Sequence, residues 1–263
     1  MPMTLKELPK LLNGYKRDMK FTFGGYEELI NLLHVNGYKI TDYYNWKEND
    51  KCVILRHDVD IDLKQALKMA EFEVRNSVKS TYFVLLTSNF YNMHSQRSRE
   101  ILNEIQNMGH MVGLHFDEMA YPQDAGNACK VTKDVYMELK ILSEILKRDI
   151  TVFSYHRPTK AILDADIELQ GAINSYGNLF FRQFKYLSDS RMFWREPVTD
   201  IICGKGAYAK LHILTHPFWY HEAEKSIEEI IHGFLNRAGI ERYNNLSDNF
   251  TGLENVVKWK EFG

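Results

Sequence analysis

Three acids and a histidine crowd the end of one apolar run: VILRHDVDID, Val53 to Asp62, carries His57, Asp58, Asp60 and Asp62. Acids and a histidine gathered at the mouth of a buried strand repel and desolvate one another unless something compensates, and a bound cation is one such compensation. Asp60 here and His115 in MVGLHFD are oxygen and nitrogen donors suited to a divalent transition metal such as zinc. A third ligand is needed, and His57, Asp117 and His156 are the candidates. Asp58 either touches the metal or stands beside it as a base. A cation of this kind lowers the pKa of water to about 7 and polarises a carbonyl, while a neighbouring carboxylate takes the proton. His216, in LHILTHP, is placed to protonate a departing amine.

Such residues act together only if the fold delivers them to one place. Apolar runs that suit buried parallel strands recur at 52–57, 80–86, 111–116, 151–156, 185–190 and 211–216, with a weaker one at 171–177. Between them lie helical stripes, such as Ile101, Leu102, Ile105 and Met108 closed by Gly109, or Val135, Leu139, Leu142 and Leu146. Tyr26, Leu29, Ile30 and Leu33 predict a helix capping one end, whereas the tail after Gly239 shows no clear period. Alternating strand and helix is the pattern of an α/β protein with a mainly parallel sheet, open or closed into a barrel. The candidate residues fall at the C-terminal ends of these strands: His57, Asp58 and Asp60, then His115 and Asp117, His156 and Arg157, Asp189, and His216. In parallel α/β folds that end builds the active site.

Several of these residues also have plain structural readings. Asp62, directly before LKQALKMA, reads as an N-cap. Arg157 reads as a partner of Asp189 that also orients Asp58 by charge. His94, His110, His212, His221 and His232 read as structural, and the aromatics of HPFWYH as packing before sugar stacking. GKGAYAK lacks the spacing of a phosphate loop, and without a G-x-S-x-G elbow a serine hydrolase has no nucleophile.

The composition is that of one large globular domain, residues 1–263 with a motif-bearing core at about 50–220: 44% of residues are apolar and no linker or repeat interrupts them. A net charge of −2 without a basic block names no nucleic-acid partner, and no apolar run is long enough for a membrane span. The charged stretch MPMTLKELPKLLNGYKRDMK does not read as a secretory signal, and Cys52, Cys129 and Cys203 suit reduced thiols, so a cytoplasmic location is expected.

The order of the motifs resembles the polysaccharide deacetylase (NodB-homology) family, carbohydrate esterase family 4. RHDVD corresponds to its first motif, GHMVGLHFD to the second, YHRPT to the third, SDSRMFW to the fourth and LHILTHP to the last. A subgroup associated with surface polysaccharide biosynthesis is similar in more detail, through LRHDVD, STYF, GLHFD, HRP, SDS with WRE, and LTHP. The resemblance implies a distorted (β/α)7 barrel, NodB-like, with a divalent metal, zinc being the one expected, and a carbohydrate substrate bearing an amino sugar. It implies Asp58 as base, Asp60 and His115 as metal ligands, Arg157 and Asp189 as supporting catalytic residues, Trp194 as a fourth-motif aromatic, and His216 as acid. Where the family carries a further histidine four residues after the first, this chain has Met119, which leaves the third ligand open. Val59 also separates two acids that are adjacent in the common motif. The expected activity is metal-dependent removal of an N-acetyl or other small acyl group from an amino sugar. The alternatives are a deacetylase-like carbohydrate-binding or assembly protein without turnover, and hydrolysis of another C–N bond or an ester.

Overall fold

A computed structural model describes residues 19–204 and 206–259 of the chain, so most of the charged N-terminal stretch lies outside the described residues. The chain packs as two compact units, one ending at Tyr220 and the other starting at His221. In the first, strands β1 (Lys39–Thr41), β2 (Cys52–Val59), β3 (Thr81–Val84), β4 (Met111–Phe116), β5 (Val152–Tyr155), β6 (Ile173–Asn174), β7 (Lys185–Ser188) and β8 (Lys210–Thr215) form one sheet. The order is β6-β5-β4-β3-β2-β8-β7, with all pairs parallel. The sheet curls into a half-barrel, the distorted (β/α)7 form expected from the sequence. β1, which the sequence did not announce, pairs with the first residues of β2, and β3 with the last.

Helices cross between the strands: α1 (Phe23–Val35), α2 (Leu63–Arg75), α3 (Gln96–Asn107), α4 (Ala128–Leu146), α5 (Lys160–Asp164) and α6 (Val198–Ile202). Their starts are written in the sequence. Asp62 accepts from the backbone N–H of Lys64 at 2.9 Å and of Gln65 at 3.3 Å, which confirms it as the N-cap of α2 and removes it from the chemistry. Ser95 and Asn127 cap α3 and α4 in the same way.

Every residue of β2 is buried, as a strand covered on both faces requires. Successive side chains still alternate. Ile54, Arg56 and Asp58 share the barrel interior, where Ile54 joins Tyr43, Trp46, Phe83, Val152, Phe180 and Phe184 in one core. Val53, Leu55 and His57 take the opposite face. Gly113 on β4 allows this interior to close, because a Cβ there would lie 2.5 Å from the Phe83 ring and 2.8 Å from Val152.

The second unit contains α7 (Ile227–Ser247) and α8 (Leu253–Val256). Ser226 and Glu229 form a capping box at the start of α7. The tail without periodicity is therefore helix as far as Ser247. Trp259 packs so close to Gly239 that a Cβ would meet its ring at 2.4 Å, and Tyr243 donates to the Val257 carbonyl at 3.0 Å. Among the described residues no helix is long and apolar enough to cross a membrane.

Candidate metal and acid-base site

Period two along β2 and beyond brings Asp58 and Asp60 onto the interior face, and β4 and β5 add His115 and His156 from their own C-terminal ends. One donor atom from each of Asp60, His115 and His156 lies within 4.8 Å of the others. His115 Nε2 is 3.3 Å from Asp60 Oδ1, His156 Nδ1 is 3.4 Å from the same oxygen, and the two nitrogens are 3.2 Å apart. That oxygen is buried and has no hydrogen-bond partner among the described residues, although two imidazole nitrogens face it. Burial opposes its ionisation, yet the adjacent His115 and His156 hold the Asp60 carboxyl well below the usual carboxylate range. An orphaned, ionised oxygen and two nitrogens around one point fit a divalent cation by the chemistry of the donor set. The other nitrogen of His115, Nδ1, lies 2.6 Å from Ser154 Oγ, a contact that fixes the ring.

Two acid-base pairs flank this triad. Asp58 is grasped by the wholly buried Arg56, whose Nη2 lies 2.9 Å from Oδ1 and 2.7 Å from Oδ2, with Nε 3.1 Å from Oδ1. Arg56 Nη1 donates to Ser175 Oγ at 2.8 Å, and the guanidinium lies 4.9 Å from the ring centroids of both Phe83 and Tyr176. Burial would raise the Asp58 carboxyl, but Arg56 first, then His115 and His216, hold it below its ordinary value. On the other side, His216 Nδ1 donates to the buried Asp189 Oδ1 at 2.6 Å, and the His216 backbone N–H donates to Oδ2 at 3.1 Å. Burial alone would lower the His216 imidazolium; the Asp189 charge and hydrogen bond, helped by Asp60 and Asp58, raise it to about 9. Its Nε2 faces Asp60 Oδ2 at 3.8 Å.

Three sequence assignments move. His57 is not near the triad: its place in the two-residue alternation turns it to the opposite face, where Nε2 donates to Glu73 at 2.9 Å and Nδ1 lies 2.7 Å from Thr215 Oγ1. Glu73 also accepts from Tyr26, Ser80 and Tyr82, at 2.7, 2.5 and 2.6 Å. Asp117 follows His115 by two but bends away to cap the turn after β4, accepting from the Met119 N–H at 3.1 Å. Met119 itself is exposed, and His156 on the neighbouring strand end stands nearest Asp60 and His115 in place of a second histidine on that turn. Arg157 pairs with neither Asp58 nor Asp189; its side chain is 74% exposed, with Asp117 at 3.9 Å. The carboxylate-orienting role belongs to Arg56, two residues before Asp58 on the same face, a signal the alternation of LRHDVD already held.

Asp58, Asp60, His115, His156 and His216 open into a cavity of about 650 Å³. Tyr155, Tyr176, Phe181, Tyr186, Trp194 and Trp219 line its aromatic part. The indole N–H groups of Trp194 and Trp219 and the Tyr155 hydroxyl are buried without partners among the described residues. Phe218 and Tyr220, grouped with them in the sequence, are buried and do not line the cavity; Tyr220 packs on Tyr26. His110 and His212 are structural, facing the Ala70 carbonyl at 3.2 Å and the Phe180 carbonyl at 3.0 Å.

Solved structures with a similar course of chain include proteins of carbohydrate esterase family 4. A Streptococcus mutans esterase of that family matches with a TM-score of 0.45 and 17% identity over 86% of this chain and 88% of its own. The catalytic domain of a peptidoglycan N-acetylglucosamine deacetylase from Eubacterium rectale gives 0.44 and 14%, over 78% and 90%. A pseudoenzyme of the family from Bacillus anthracis gives 0.40 and 11% over 73% of this chain, which spans 62% of that protein's length. No family model matches the sequence, and no curated protein does.

Proposed function

We propose that the chain is a metal-dependent hydrolase that removes an N-acetyl or other small acyl group from an amino sugar during surface polysaccharide biosynthesis. The observation that carries this reading is the orphaned Asp60 Oδ1 between His115 and His156, flanked by one ionised carboxylate and one protonated imidazole. Asp60, His115 and His156 would hold the cation, with zinc favoured by two nitrogens and one oxygen; when bound it would acidify water and polarise the acyl carbonyl.

The chain's own residues then divide the proton work. Asp58, fixed by Arg56, accepts a hydrogen bond from the attacking water and takes its proton. Its oxygens have few other freedoms, because Arg56 binds both. His216, kept protonated at neutral pH by Asp189, gives its Nε2 proton to the departing nitrogen. Asp189 orients that ring through its hydrogen bond to Nδ1, in the manner of a carboxylate behind a catalytic histidine. The indoles of Trp194 and Trp219 and the Tyr155 hydroxyl offer donors to the sugar or its acyl oxygen. Arg157, on the rim of the cavity, would contact the substrate. Three free thiols suit the proposed cytoplasmic location.

The test is release of acetate or formate from N-acylated amino sugars with zinc, cobalt or manganese supplied. Asp60→Ala and His115→Ala should each abolish release. Turnover that survives both substitutions would exclude the mechanism, and glycan binding by calorimetry without any release would favour the binding-protein alternative.

A further inference from the structure

The charged residues that line the cavity do not balance. Asp58 is neutralised by Arg56, and Asp60 belongs to the candidate metal triad. Glu196 is paired with Lys185. Three arginines, Arg157, Arg191 and Arg195, line the same cavity and are exposed. Arg157 has only Asp117 at 3.9 Å, and no carboxylate pairs with Arg191 or Arg195 among the described residues. They come from two strand ends, the loop after β5 and the loop after β7, so their convergence is made by the fold and not by a run of basic sequence. The backbone is also held in an uncommon form there: Arg157 has φ 51°, Arg191 61° and Met192 57°. Non-glycine residues in that region are strained and persist where the surroundings fix them.

Unpaired guanidinium groups facing a cavity attract an anion, and their planar fork matches phosphate in particular. We infer that this wall recognises a phosphate on the substrate, so that the amino sugar is a glycosyl phosphate or diphosphate and not a neutral glycan. This rests on the amino-sugar reading above and extends it to the substrate class. A phosphate-linked sugar is an activated precursor, so the reaction would come before the glycosyl transfer that consumes the sugar phosphate.

Calorimetry with N-acetylglucosamine, its 1-phosphate and inorganic pyrophosphate tests this on the purified protein, on Arg191→Gln/Arg195→Gln and on the charge-preserving Arg191→Lys/Arg195→Lys. The 1-phosphate should bind at least about tenfold tighter than the neutral sugar, as charge-assisted pairs allow. That preference should shrink to below about threefold in the Gln pair, be partly kept in the Lys pair, and weaken with salt. Equal binding of the two sugars by the unaltered protein, or an undiminished preference in the Gln pair, would overturn the inference; the latter would assign the anion to the cation. If pyrophosphate binds through the arginines while neither sugar adds affinity, the anion wall stands and the amino-sugar reading falls.

Discussion

Replacing Arg56 by Met should be among the most damaging single changes in this protein, and the structure says why. Arg56 is wholly buried and places three N–H contacts of 2.7–3.1 Å on Asp58, with a fourth bond of 2.8 Å to Ser175. Methionine fills much of the volume but removes the main partner of the buried Asp58 charge, leaving it His115 Nε2 at 3.5 Å. Breaking a buried pair from one side costs about 3–5 kcal/mol, against a total stability of about 5–15 for a domain. For a unit of this size that is a fall in Tm of very roughly 6–20 °C. Asp58→Asn alone strands the guanidinium instead. The double variant removes both charges, so its loss should fall short of the sum of the two by about 2–3 kcal/mol, the upper part of the range for contacting residues. Urea unfolding of the three variants at pH 7 measures each quantity. A loss below about 1 kcal/mol for Arg56→Met, or additivity within about 0.5 kcal/mol, would mean that the pair is not coupled as its geometry implies.

Other outcomes follow from the two faces of the sheet. His156→Ala should lose bound zinc in elemental analysis while His57→Gln and Met119→Ala retain it, with His57→Gln losing stability instead. The Glu73 carboxyl is fully buried; burial opposes its ionisation, but His57, His110 and Ser80 hold it down to about 2. Its folded value lies below its unfolded one, so its stabilisation is complete above about pH 4.5 and fades as pH falls toward 2. The size is on the order of 3 kcal/mol, and Glu73→Gln should flatten the acid limb of stability measured by urea unfolding between pH 7 and 3. Glu138 is the reverse case, raised to about 7 by burial and by nearby Asp134 and Asp117, against the Tyr121 hydrogen bond. Its contribution is present below about pH 4.5 and lost as pH rises through 7, so Glu138→Gln should gain Tm at pH 8 and little at pH 5.

The fold was legible because its signals are local and repeated. Seven apolar runs coincide with strands, the cap at Asp62 starts a helix, and the reactive residues gather at strand ends as parallel topology demands. β1 escaped because Lys39–Thr41 is three residues of half-exposed, mixed polarity, with nothing but pairing to define it. The part of α7 beyond Gly239 escaped because none of its residues is buried, so no apolar stripe had to be written into it.

The site divides along a sharper line. Residue types and strand ends were enough to list Asp58, Asp60, His115, His156, Asp189 and His216, but the list could not say which of them meet. Alternation along a strand does say so: counting back in twos from Asp60 gives Asp58, Arg56 and Ile54 on one face and leaves His57 on the other. Counting forward on β5 from Val152 gives Ser154 and then His156, which supplies the imidazole that position 119 lacks. Arg157 falls one step out of that phase, and its side chain accordingly ends on the rim, exposed, instead of beside Asp58. A strand-end histidine or arginine is therefore better judged by its parity with a known interior residue than by its distance from a motif. The same rule could not have found Arg191 and Arg195, since they lie beyond β7 in a loop whose left-handed residues break any strand period.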